Sequence, residues 1–166
     1  MTISQALKEV YASAPATTRY VETLTFSHSL FPQTFYLTND NQPWQFLLET
    51  GQLVTFSVTP FKIVLPSLDG KGNQDMRLTI ANIGRELIDP LEAAIAKPSE
   101  PVQCVYRVYL NQASSSPQNS PPLALIITGV QVNRDAVSAT ANRTDVLSRA
   151  FPYNFYKTAD FPGLRR

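Results

Sequence analysis

The sequence predicts an α+β fold: a β-barrel or strongly curved mixed sheet of about six to eight strands, with an N-terminal helix and one further, broken helix. Three observations predict it. Segments rich in Val, Thr, Ile and aromatic residues alternate with period two; two stretches carry apolar residues at helical spacing; and Gly, Pro, Asn and Ser separate them. Strand order is not readable at this level.

Ile3, Leu7, Val10 and Tyr11 lie at helical spacing over residues 3–14, with Thr2 and Gln5 as the ends of a capping box and Pro15 closing the run. Period-two texture follows from Tyr20 to Thr25, over Phe31–Thr38 and over Leu53–Val58. Asn39–Pro43 reads as a polar turn, after which Trp44, Phe46 and Leu47 re-enter an apolar environment. Pro66–Asn73 reads as a loop, and Met76–Ala81 as a half-buried strand. Ile83, Leu87, Leu91 and Ile95 mark the second helix, 83–96, which closes one side of the sheet. Pro90 is expected to break or kink it, with Asp89 capping a second segment. Val102–Leu110 alternates on both faces, as a central or long strand does. Asn111–Pro122 reads as a flexible connection with nothing able to pack, and Leu123–Val132 with Ala136–Asn142 as a hairpin around Asn133-Arg134-Asp135. A helical turn is expected near Asp145–Arg149.

The 166 residues suit a single domain over 1–166, large enough to form a core without disulfides. Charged residues make up only 16%, against 43% hydrophobic, so much of the surface must be uncharged, a composition more usual in packed assemblies. A net charge of +1 without blocks of like charge leaves no footprint for sequence-specific nucleic acid or anionic lipid. No run reaches the ~20 apolar residues of a membrane span, and no signal peptide is evident; residence in the cytoplasm before assembly is the expectation.

The last segment, 151–166, combines prolines and a glycine that oppose regular structure with aromatic residues that disfavour free solution. Phe151, Tyr153, Phe155, Tyr156 and Phe161, with Pro162 and Leu164, are therefore the candidate assembly interface, an extended arm anchored on its own barrel or on a neighbour. Candidate chemistry is sparse, and no enzyme, cofactor or metal is expected. One Cys and one His far apart exclude a structural zinc. Cys104 reads as a small buried hydrophobe, and His28 beside Ser27 and Ser29 lacks triad spacing. Glu86, Asp89 and Glu92 lie within two helical turns, but capping, pairing with Arg85 and solvation account for them. Asp69-Gly70-Lys71-Gly72 lacks the remaining residues of a phosphate loop. Arg165 and Arg166 read as solvated charges.

The succession Val21–His28 (VETLTFSH), Phe35–Asp40 (FYLTND), Phe61–Pro66, Met76–Asn82 (MRLTIAN), Val102–Leu110 and the closing Phe161-Pro162-Gly163-Leu164 resembles an uncharacterised family of siphophage tail proteins. More remotely, it is similar to the N-terminal part of tail tip protein L of lambda-like phages. The resemblance implies a structural component of a long-tailed phage tail tip or baseplate hub. Its expected form is a homotrimeric ring joining the tail tube to the central fibre, with the distal tail protein and the fibre or hub protein as neighbours in the virion. Relatives of the lambda type carry a further cysteine-bearing region, so with Cys104 alone no iron–sulfur cluster carries over. A receptor- or glycan-binding module at the tail tip, with Trp44 and nearby Tyr residues lining a groove, and a tail-assembly chaperone are the alternatives.

Overall fold

In the computed structural model, which describes residues 2–13, 18–64, 75–81, 85–95, 100–133 and 136–142, the alternating segments form an open mixed sheet of nine strands. In chain order the elements are β1 (Thr2–Ile3), α1 (Gln5–Ser13), β2 (Tyr20–Ser27), β3 (Phe35–Thr38), β4 (Trp44–Leu47), β5 (Leu53–Val58), β6 (Phe61–Val64), β7 (Asp75–Ala81), α2 (Arg85–Ile95), β8 (Gln103–Leu110), β9 (Asn119–Ser120), β10 (Leu123–Val132) and β11 (Ala136–Asn142). The sheet order is β4-β5-β3-β2-β8-β10-β11-β7-β6, and β1 and β9 form a separate two-stranded ladder. All pairings in the large sheet are antiparallel except β3 with β5.

The sheet curls strongly. Six strand spacings separate β3 from β6, about 29 Å if the sheet were flat. Yet the Phe61 N–H at the start of β6 donates to Asn39 Oδ1, just beyond β3, at 3.1 Å. This bears out a curved mixed sheet and corrects the barrel: no ladder joins β6 to β3, so the sheet stays open. The outer edge of the four-residue β3 is already used by β5 at Leu37 and Thr38, and Thr59 N–H donates to the Thr38 carbonyl. The next residue, Pro60, has no N–H to donate.

The larger core lies on the concave face. Leu24, Phe26, Leu37, Phe61, Met76, Leu78, Ile80, Cys104, Tyr106 and Leu125 meet there with Leu7 of α1 and Leu91 and Ala94 of α2. A smaller cluster forms where β4 and β5 fold over the opposite face of β2 and β8, burying Val21, Phe46, Val54, Phe56 and Tyr109. Burial on both faces explains why β2 and β8 share the same pattern, with four consecutive buried residues in each. Gly51 closes the β4–β5 hairpin with φ of +80°, a left-handed value natural to glycine.

Several local expectations change. Ser4, not Thr2, caps α1: its Oγ accepts from Leu7 N–H at 3.2 Å, while Thr2 is drawn into β1. Of the expected helix face only Leu7 is buried; Ile3 and Tyr11 are exposed. Phe31 is buried in the turn before β3, which starts only at Phe35. Helix α2 runs through Pro90 as one element instead of restarting at Asp89. Asn111–Pro122 does pack: Asn119 is 1% exposed and carries β9. The expected loop Pro66–Asn73, the turn near Asp145–Arg149 and the arm 151–166 lie outside the described residues.

Candidate functional site

The densest polar chemistry converges on β8, because a strand buried on both faces must pair every polar side chain it carries. Arg107 points to the face covered by β4 and β5. Its Nε and Nη2 donate to Glu49 Oε1 and Oε2 at 2.7 and 3.0 Å, and its Nη1 donates to Thr25 Oγ1 at 2.8 Å. The Arg107 side chain is 9% exposed and that of Glu49 39%. Burial works to raise the Glu49 pKa, but the Arg107 fork and charge prevail and lower it. The pair is a two-bonded clamp from the β4–β5 turn onto the central strand.

Tyr106, on the concave face, donates its hydroxyl to Glu22 Oε1 at 2.8 Å. Burial, then the Glu22 charge, push its pKa far up, so it stays a phenol. Tyr109 stacks on Phe46 with ring centroids 4.2 Å apart and donates to the Leu47 carbonyl at 3.1 Å. Trp44 continues the stack on Phe46 at 5.5 Å. Its indole N–H donates to Asp40 Oδ2, which also accepts from Arg19 Nη2. Trp44 is thus held in packing, and the nearby Tyr36 ring meets Phe56 edge-on.

Of the candidate catalytic residues, Cys104 is buried, and His28 and Ser29 have structural partners. Cys104 is fully buried and its thiol is pushed up to about 12, chiefly by burial, so it stays protonated at neutral pH. His28 Nδ1 accepts from Leu30 N–H at 3.1 Å, which leaves Nε2–H to donate to the Glu100 carbonyl at 2.9 Å. Ser29 Oγ donates to Glu100 Oε2 at 2.6 Å. Asp89 and Glu92 are exposed on α2, and among the described residues no three His, Cys, Asp or Glu side chains lie close enough to hold a metal ion. The side chains of Arg85 and Glu86, the segment Asp69–Gly72, Arg165, Arg166 and the whole candidate interface, Phe151, Tyr153, Phe155, Tyr156, Phe161, Pro162 and Leu164, lie outside the described residues.

Strand order also exposes a feature hidden from the sequence, the unequal ends of the sheet. At one end β4 is covered by its own chain: Ser114 N–H donates to the Gln45 carbonyl at 2.9 Å and Leu47 N–H to the Ser115 carbonyl at 3.0 Å. At the other, β6 is the terminal strand among the described residues, with Val64 52% exposed.

These features define an α+β protein built on one open, curved sheet, in which the buried Arg107, Tyr106 and Tyr109 are engaged internally. By sequence, the chain belongs to the DUF1833 family, a domain of unknown function, which matches residues 6–156. No curated protein sequence matches it.

Proposed function

We propose that the protein is a structural component of the tail tip or baseplate hub of a long-tailed phage and works by assembly, without catalysis. In this reading copies of the chain form a ring, a homotrimer, that joins the tail tube to the central fibre and contacts the distal tail protein and the fibre or hub protein. The observation that carries it is the asymmetry of the sheet. An edge strand with exposed apolar side chains is a template for pairing with another chain, and proteins that do not use such an edge usually cover it. Here β4 is covered by Ser114 and Ser115, while β6, the terminal strand among the described residues, carries the exposed Val64. The resemblance to siphophage tail proteins and the charge-poor composition support the same reading. The arm residues Phe151 to Leu164 supply the second contact between neighbours.

Among the described residues no helix is long and apolar enough to cross a membrane. The experiment is antibody labelling of purified virions, read by electron microscopy after mass spectrometry has established the copy number. Label at the tail tip in a few copies per particle is the expected result. Absence from mature particles overturns the hub and favours a tail-assembly chaperone.

A further inference from the structure

Among the described residues, the outer face of β6, β7, β11 and β10 carries no helix and no β4–β5 cover, and its side chains can be read from the ladder registers. Residues directly opposite across antiparallel strands share a face. One row is Lys62, Thr79, Ser138 and Gln131; the next is Val64, Arg77, Thr140 and Gly129. A concavity of roughly 490 Å³ opens over the β7, β11 and β10 members of these rows, within the size range of small-ligand sites; Lys62 stands beside it on β6, directly across the ladder from Thr79.

Its composition is selective. Lys62 and Arg77 are exposed, and neither has an ion-pair partner or side-chain hydrogen bond among the described residues. Diagonal neighbours across a ladder stand about 7–8 Å apart, so the two cations can close on one anionic group. Thr79, Ser138 and Thr140 place hydroxyls beside them, and Gln131 adds an amide. At Gly129, next to the register shift after Ile127, a Cβ would meet nothing within 4 Å, so the missing side chain leaves a notch at the end of the Arg77–Thr140 row.

We infer that this groove binds an acidic saccharide, its carboxylate held between Arg77 and Lys62 and its hydroxyls by Thr79, Ser138, Thr140 and Gln131. Protein partners are recognised through apolar, usually aromatic, anchors, and among the described residues this floor has no aromatic side chain. A neutral sugar leaves the Arg77 and Lys62 charges unused. A carboxylate on a polyhydroxylated chain matches both the charge and the rows of hydroxyls. The inference is independent of the assembly reading and stands or falls on the isolated chain.

The test is titration of the full-length protein with tri-galacturonate, a neutral trisaccharide of similar size and a short poly-glutamate peptide, by calorimetry at low and moderate salt. Tri-galacturonate is expected to bind, more weakly as salt rises. Arg77→Met is expected to weaken that binding at least tenfold, and Gly129→Leu to do the same by filling the notch, each with an unchanged melting temperature. Absence of tri-galacturonate binding, equal binding of the neutral sugar, or indifference to both substitutions overturns the inference. Tighter binding of poly-glutamate than of the saccharide overturns it in favour of an acidic protein segment.

Discussion

Arg107 shows what a single residue contributes when a strand is covered on both faces. Its guanidinium is almost wholly buried, and three of its N–H groups are matched by Glu49 and Thr25. Glu49 binds its proton more weakly in the folded protein than in the unfolded chain. Its contribution to stability is therefore complete above its ordinary value of 4.5 and is lost as the pH falls through the lowered folded value. Glu49→Gln should destabilise the protein at pH 7 by about 1–2 kcal/mol, less than for a fully buried pair because water reaches Glu49. Denaturant unfolding of both proteins across the acid range checks this: the gap should narrow as the pH falls below the folded Glu49 value. The sequence could place Arg107 on a two-faced strand, but not Glu49 beside it, since the two residues meet only because the β4–β5 hairpin folds over β8.

At the scale of elements, the connection after β8 governs how the N-terminus docks. Asn119 uses its side chain as a strand would use its backbone: Oδ1 accepts from Val108 N–H at 3.0 Å and Nδ2 donates to the Tyr106 carbonyl at 3.1 Å. It thereby extends the β8 ladder beyond Leu123, where pairing with β10 ends. The same segment pairs with Thr2 and Ile3 through β9, and Gln118 accepts from Ser4, the cap of α1. Asn119→Ala leaves two buried backbone groups unmatched, each worth about 1–3 kcal/mol. We expect a loss of about 3 kcal/mol and faster amide exchange in α1 than in β8, measured by hydrogen exchange. The run NQASSSPQNSPP gave no sign of this, because one polar side chain matched to two backbone groups leaves no periodic pattern. Pro90 misled in the opposite direction. Proline lacks one donor and disfavours helix, yet packing of Leu91 and Ala94 into the core keeps α2 continuous.

For the whole molecule, the unequal sheet ends make a prediction about association. Val64 is 52% exposed, so Val64→Lys should change stability by no more than about 0.5 kcal/mol. If the β6 edge joins neighbouring copies, that charge should abolish ring formation while the monomer melts as before. Light scattering on the two proteins at assembly concentrations decides it; a ring that survives Val64→Lys is not joined through this edge.

The sequence by itself determined where several of the elements lie. The β5 bounds, the Asn39–Pro43 turn, the β10–β11 pair and the two-faced character of β8 follow from alternation and turn chemistry, which act between near neighbours. It also determined that Cys104 would be buried, since a lone cysteine in an alternating strand behaves as a small hydrophobe. Only the tertiary structure decided which strands are neighbours, that β4 and β5 fold onto the second face, and that β3 and β6 meet at one corner without pairing. It alone brought Lys62, Arg77, Thr79, Ser138 and Thr140 to one surface. These features depend on contacts between residues far apart in the chain, and local periodicity fixes which side of a strand a residue takes but not what it will face there.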